Sequence, residues 1–122
     1  VQLMGRTITA RYRLDDVIWF DFEVLCSSPR GALDYIELAR TYHAIVLSKV
    51  PQLSEKNEDK ARRFVVLIDE LYDRKVKLII SADVEITRIY AGDRQKFEFA
   101  RTKSRLIEMQ SLDYLASPHV MI

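Results

Sequence analysis

The sequence has little of what several common protein classes depend on. It holds one cysteine, three glycines and three prolines in 122 residues, and its formal net charge is +1. One cysteine cannot form an internal disulfide, and no cysteine–histidine cluster has the spacing of a zinc site, so a reducing compartment is expected. The near-zero charge gives no global reason to expect binding to nucleic acid or to an anionic membrane.

Long apolar runs are also missing. No stretch approaches the roughly 20 apolar residues that span a bilayer, and no signal peptide is visible. Apolar residues make up 48% and charged residues 30% of the chain, a composition typical of a globular protein. The length predicts a single domain over residues 1–122. Because Val1 leads at once into strand-like sequence, we expect this domain to be part of a longer protein.

The first third of the sequence predicts a β-hairpin followed by a helix. Residues 6–13 alternate with a period of two, residues 14–16 favour a turn, and residues 17–24 are rich in β-branched and aromatic side chains. Residues 27–29, Ser-Ser-Pro, are typical of a helix start. Apolar positions continue that predicted helix over residues 32–42.

The rest of the chain predicts a βαβ unit and a final helix. Residues 44–48 and 76–81 have the apolar pattern of buried strands, and residues 59–74 between them have helical spacing. Strands joined by such a crossover lie parallel. The final helix is predicted over about residues 100–115. The fold class is therefore α/β, with a small mixed sheet, an N-terminal β-hairpin, one parallel βαβ unit and a long C-terminal helix.

One apolar run ends in Asp69 and Glu70, as does the strand that binds magnesium and activates water in P-loop ATPases. Helical spacing explains this run better, because its apolar residues fall on one face of a helix. None of the three glycines stands in the Gly-x-x-x-x-Gly-Lys-Ser/Thr pattern of a phosphate loop. We therefore predict that both acids lie on a helix surface.

The remaining reactive side chains form no enzyme-like constellation. Cys26 has the pattern of a small buried residue rather than a reactive thiol. His43 lies where a helix meets a strand, which favours a cap or a core position over a metal ligand, and His119 has no partner at motif spacing. We predict no catalytic residue and no metal site in this chain.

The most unusual segment is residues 94–105, which contains five basic residues and two phenylalanines. Arg101 and Arg105 are four positions apart and therefore share one helix face. The pair could bind a phosphate through bidentate hydrogen bonds, or single-stranded nucleic acid beside an aromatic ring. The alternative is a solvated face whose charges pair with Glu98, Glu108 and neighbouring acids.

Two other places are candidates for a binding surface. Lys49 and residues 81–83 end the two predicted parallel strands, and open α/β sheets bind ligands at that edge. Trp19 and Phe20 in the predicted hairpin could anchor a protein partner, because aromatic side chains often dominate interfaces.

Taken in order, segments along nearly the whole chain resemble the ZapE family. The matching segments are Leu25-Cys26, Pro29, residues 34–40, Val50-Pro51, residues 61–74, residues 76–82, residues 97–106, residues 108–111 and Tyr114-Leu115. Lys49 departs from the pattern, which has an acidic residue before the Val-Pro pair.

The ZapE family consists of AAA-related P-loop ATPases of bacterial cell division, with mitochondrial relatives linked to protein quality control. The resemblance implies the C-terminal domain of a longer ATPase whose phosphate loop and magnesium-binding acids lie upstream. It implies ATP and Mg²⁺ as cofactors of the complete protein, with none for this fragment. The implied function is ATP hydrolysis coupled to work on a protein partner, and the alternative is an interaction module without a part in nucleotide chemistry.

Arg62, Arg63, Arg101 and Arg105 match arginines of the family, and they are the candidates for contacts with nucleotide phosphates. The expected partners are the upstream ATPase core of the same protein and a protein of the division machinery. Self-association stays open, and nucleic acid is not expected. The expected location is the bacterial cytoplasm, with mitochondria as the alternative.

Overall fold

The computed structural model describes residues 1–3, 5–27 and 30–122 of the chain. The strands are β1 (Gln2–Leu3), β2 (Arg6–Thr7), β3 (Tyr12–Leu14), β4 (Val17–Asp21), β5 (Ala44–Val50) and β6 (Lys77–Ala82). The helices are α1 (Phe22–Cys26), α2 (Ala32–Thr41), α3 (Glu58–Asp73), α4 (Lys96–Glu108) and α5 (Leu112–Ala116), with 3₁₀ turns at Glu55–Asn57 and Ile86–Arg88. The predicted α/β class is confirmed.

Four strands form the main sheet in the order β3-β4-β5-β6. β3 and β4 are antiparallel across a two-residue turn, which confirms the predicted hairpin. β4, β5 and β6 run parallel. The sheet therefore contains two parallel crossovers rather than the predicted one, because β4 as well as β5 is followed by helices that return the chain to the sheet.

Several predicted boundaries differ from the structure. The strand predicted over residues 17–24 ends at Asp21, and Phe22 begins α1 with its side chain buried. The strand predicted over residues 6–13 contains only the short β2 and part of β3. Aromatic and β-branched residues signal burial, and a short buried helix meets that demand as well as a strand does.

The helix ends also differ from the prediction. α2 is capped by Gly31, whose amide donates to the Asp34 carboxylate at 2.9 Å. The predicted cap at Ser28 and Pro29 lies outside the described residues. The final helix begins at Lys96 and ends at Glu108, and the Ser111 hydroxyl then caps a separate α5 by accepting from the Tyr114 amide.

The core lies between one face of the sheet and the layer formed by α1, α2 and α3. Ile18 and Phe20 of β4 and Ile45 and Leu47 of β5 point into it and are fully buried. Their alternation with less buried neighbours follows from the two-residue period of a strand. No helix in the described part of the chain combines the length and the apolar character needed to cross a membrane.

An aromatic series holds the helices together within this core. The rings of Phe22, Phe64, Phe99 and Tyr90 follow one another with centroid distances of 6.1, 6.3 and 4.3 Å. Phe64 lies on α3 and Phe99 on α4, so the series fixes α4 against α3. This contact sets where the arginines of α4 project.

Glu55 organises the turn that leads into α4. Its Oε2 accepts hydrogen bonds from the Tyr90 hydroxyl at 2.7 Å and from the backbone amides of Asp93 and Arg94 at 2.8 and 3.3 Å. A Cβ at Gly92 would lie 1.9 Å from this oxygen, so any other residue at that position would displace the Glu55 carboxylate from the turn. These donors, the tyrosine first, hold the pKa of Glu55 below its ordinary value.

The stability of the chain should therefore depend on the ionisation of Glu55. A carboxyl whose pKa is lowered by folding stabilises the fold above its unfolded pKa and loses that contribution as the pH falls through the folded pKa. We expect the urea midpoint of the wild type to fall on acidification below pH 4.5, and the Glu55→Gln variant to show a shallower fall. The exposed Glu85→Gln is the control, and equal slopes for the wild type and Glu55→Gln would contradict the prediction.

Candidate functional site

Two arginines of α4 meet one carboxylate of α3. Asp69 Oδ2 accepts from Arg101 Nη2 at 3.0 Å, and Asp69 Oδ1 accepts from Arg105 Nη1. The i,i+4 spacing on α4 places both guanidinium groups on one helix face, as the sequence predicted. Because one carboxylate neutralises only one of the two cations, this cluster keeps an excess of one positive charge.

The two arginines are held to different degrees. The Arg105 guanidinium also lies over the Tyr72 ring, 4.7 Å from the centroid, and its side chain is 26% exposed. The Tyr72 hydroxyl donates to Glu108 Oε2 at 2.8 Å, and this hydrogen bond raises the pKa of the phenol. Arg101 has no such stacking contact among the described contacts and is 49% exposed, so it has more freedom to reach a ligand.

Arg101 borders a groove of about 400 Å³ between α3 and the start of α4. Arg62 and Arg94 line the same groove, and both pair with Glu58, at 3.4 and 2.9 Å. Three arginines and three acids line the groove in total, which leaves it without net formal charge. An anion that entered would therefore compete with Glu58 and Asp69 for the guanidinium groups.

Arg63 lies apart from this groove. Its Nε donates to the Arg30 carbonyl at 3.3 Å and its Nη1 to the Cys26 carbonyl at 3.4 Å. The side chain is half-buried between α3 and the segment before α2. The structure therefore brings Arg62, Arg101 and Arg105 to one side of α3, and gives Arg63 two backbone acceptors elsewhere.

The two aromatic candidates of the hairpin face opposite ways. Phe20 is fully buried in the core, so its assignment to a partner surface is wrong. The neighbouring Trp19 is half-buried on the other face of the sheet, where its Nε1 donates to Ser48 Oγ at 2.8 Å. A role of Trp19 at an interface stays a prediction.

The structure also shows where the acid pair, the cysteine and His43 lie relative to their predicted positions. Asp69 and Glu70 lie on α3 and are partly exposed, which confirms the helix-surface prediction. Cys26 is buried, also as predicted, and burial raises the pKa of its thiol. The prediction of a cap or core position for His43 is wrong. Its ring is partly exposed, and its Nδ1 lies 2.9 Å from Asp16 Oδ2.

The proposed ligand edge of the sheet has few converging side chains. Lys49 adopts a left-handed backbone with φ of 62° and interrupts the ladder between β5 and β6, while its amide donates to Ser81 Oγ at 3.1 Å. Within residues 1–3, 5–27 and 30–122, no group of three acidic, histidine or cysteine side chains could hold a metal ion.

Sequence reasoning did not identify Asp69 as the partner of the two arginines. It expected Glu98 and Glu108, which are near in sequence, whereas the partner comes from another helix. The sequence did contain a signal for this partner, because the apolar faces of α3 and α4 indicate which sides of the two helices pack together. Asp69 directly follows the buried Ile68, so it stands at the border of the face that packs against α4.

Comparison with known proteins identifies the family of this chain. A model of the AFG1-like ATPase family matches residues 1–118. The chain therefore belongs to the AFG1-like ATPase family.

Similar proteins occur in bacteria and in eukaryotes. The chain is 50% identical over 99 residues to "Cell division protein ZapE" of Escherichia coli strain K12, an alignment covering 81% of this chain and 26% of the relative. It is 34% identical over 146 positions to an uncharacterized protein of Schizosaccharomyces pombe, covering 97% and 32%. It is 30% identical over 149 positions to "Lactation elevated protein 1 homolog B" of Danio rerio, covering 96% and 30%.

The chain therefore spans between a quarter and a third of the length of these relatives. No solved structure matches it.

Proposed function

We propose that this chain is the C-terminal domain of an ATPase that couples ATP hydrolysis to work on a protein partner. The observation that carries the proposal is the pair Arg101 and Arg105 on Asp69, at the rim of a solvent-open groove, in a chain of an ATPase family. Arginine is suited to this task because its planar, permanently charged group forms paired hydrogen bonds with phosphate oxygens.

In this proposal Asp69 keeps the two guanidinium groups in position before a phosphate binds. Its carboxylate occupies the donors that a phosphate would otherwise take, and it keeps two like charges close together without a ligand. When the nucleotide of the ATPase core approaches, Arg101 exchanges its carboxylate partner for phosphate oxygens, while Arg105 stays anchored by Tyr72. The rest of the protein would hold ATP and Mg²⁺, and the metal would supply neutralisation of phosphate charge there.

The first test is a calorimetric titration of magnesium-ATP into this chain alone, at physiological salt. We expect no saturable binding up to millimolar ATP, because the groove is electrically balanced and has no phosphate loop among its lining residues. Saturable binding that Asp69→Asn weakens would contradict the proposal, since the acid of α3 would then be part of a nucleotide site within the chain.

A second candidate function is an interaction module without a part in nucleotide chemistry. It is favoured by the same ion pairs, because Arg62, Arg94, Arg101 and Arg105 all have acidic partners within the domain. The two candidates differ in whether loss of Arg101 changes turnover of the complete ATPase.

The relatives support a proposal for the partner and for the location. The printed name of the Escherichia coli relative, a cell division protein, supports division machinery as the partner and the bacterial cytoplasm as the location. A mitochondrial location is the alternative, since relatives also occur in eukaryotes.

A further inference from the structure

The second face of the main sheet is apolar. The strand register pairs Tyr12 with Trp19, Trp19 with Val46 and Val46 with Ile79, so one row of large side chains crosses all four strands. A neighbouring row runs from β3 through β4 to β5 and ends at Lys77 of β6. The open face, as we name it, consists of Tyr12, Leu14, Val17, Trp19, Ala44, Val46 and Ile79.

The described helices leave this face uncovered. Tyr12, Leu14 and Ile79 are 60%, 59% and 67% exposed. The other four residues are half-buried, and none of the seven belongs to the core or packs against it. Contiguous apolar patches of this kind are rare on monomers and mark surfaces that another element covers.

The strands have the composition of strands that are buried on both faces. β4 contains Val-Ile-Trp-Phe, β5 contains Ala-Ile-Val-Leu and β6 contains Leu-Ile-Ile, each without a polar residue between the apolar ones. A sheet with one solvated face alternates apolar and polar residues, whereas parallel sheets are nearly always covered on both faces. The second face is therefore built for a packing partner.

The polar groups at one end of the open face are already satisfied. Ser48 Oγ accepts from Trp19 Nε1 and donates to Asp21 Oδ1 at 2.6 Å, and Arg11 Nη1 lies 3.0 Å from Asp21 Oδ2. These contacts, with the hydrogen bond from Ser48 first, lower the pKa of Asp21. The cation at the β6 edge, Lys77, donates through its Nζ to two backbone carbonyls. The rest of the open face is apolar, so its complement is an apolar protein surface.

We propose that the open face packs against the part of the same protein that lies outside residues 1–122. The inference rests on the proposed function, in which this chain is one domain of a longer ATPase. The lengths of the relatives support this occupant, since the chain accounts for 26% to 32% of them and most of such a protein lies outside it. The remainder is large enough to supply the second helical layer that the sheet lacks.

The test measures side-chain accessibility in the chain alone and in the complete protein. Hydroxyl-radical footprinting should label Tyr12 and Trp19 strongly in the chain alone and several-fold less in the complete protein. Leu112 on α5 is 84% exposed and serves as the internal control, with similar labelling in both. Equal labelling of Trp19 in both forms would overturn the proposal.

A charge on the open face provides the second measurement. Ile79→Asp should leave the thermal midpoint of the chain alone unchanged and lower that of the complete protein by about 5 °C or more, because a charge is then buried at the interface. Tyr12→Asp, at the other edge of the sheet, should have the same effect on the two thermal midpoints. Leu112→Asp, at a position 84% exposed on α5, is the matched control and should change neither midpoint.

The outcomes separate the possible occupants. A chain that dimerises alone, protects Trp19 on dimerisation and loses the dimer with Ile79→Asp would overturn the proposal in favour of a second copy. Neither readout uses ATP hydrolysis. A complete protein that protects Trp19 but does not hydrolyse ATP would therefore remove the proposed function and leave the packing inference standing.

Discussion

Replacing Arg101 by alanine in the complete ATPase should lower turnover by roughly 10³-fold and leave the affinity for nucleotide largely intact. This is the scale of loss where an arginine stabilises the charge of a phosphoryl-transfer transition state. Arg101→Lys should recover little of the lost turnover, because an ammonium group lacks the planar pair of donors. Steady-state hydrolysis and a separate nucleotide-binding titration distinguish the two quantities.

A purely structural role of Arg101 would instead show as a change in the free energy of unfolding of the variant. The ion pair of Arg101 with Asp69 is half-exposed, and pairs of this kind contribute about 0–1 kcal/mol, so the variant should unfold close to the wild type. Lys96→Ala, which removes an exposed cation from the first turn of α4, is the matched control for charge. Unchanged turnover in Arg101→Ala would favour the interaction module over a part in nucleotide chemistry.

Truncating Phe64 should produce a large loss of stability in this chain. Phe64 is fully buried, and its ring contacts those of Phe22 and Phe99, so it joins α1, α3 and α4. Substitution of a buried phenylalanine by alanine costs about 3–5 kcal/mol through lost burial and the cavity that remains. Domains of ordinary stability have roughly 5–15 kcal/mol in total. Urea unfolding of the purified chain measures the effect.

The control for this experiment lies on the neighbouring helix. Phe97→Ala removes a side chain of the same size from a position that is 86% exposed, and its free energy of unfolding should change by about 0.5 kcal/mol or less. A loss below about 1 kcal/mol for Phe64→Ala would mean that the neighbouring rings close the cavity, and that the aromatic series does not fix α4.

Much of the fold could be predicted from periodicity. The apolar face of α3 and the apolar runs of β5 and β6 gave their type and order, because burial imposes the period of each element on its own sequence. The first strand after the hairpin turn was predicted too long. Its end at Asp21 depends on Phe22, Leu25 and Cys26 packing under the helical layer, which is a contact between distant segments.

The candidate site was predicted in part. Arg101 and Arg105 share one face because of their spacing, which is a local property of the helix. Their acidic partner was predicted on the same helix, and it is Asp69 on another. Trp19 and Phe20 looked equivalent as neighbours in one apolar run, although a strand turns consecutive side chains to opposite faces.

The sequence by itself determined the class of fold, the identity of most helices and strands, and the family to which the chain belongs. Those properties are encoded in local periodicity and in the order of short segments. Only the tertiary structure decided which acid neutralises the arginines, which arginine stands apart and which face of the sheet stays open. Each of these depends on how separate elements pack, and residues more than 30 positions apart come together only then.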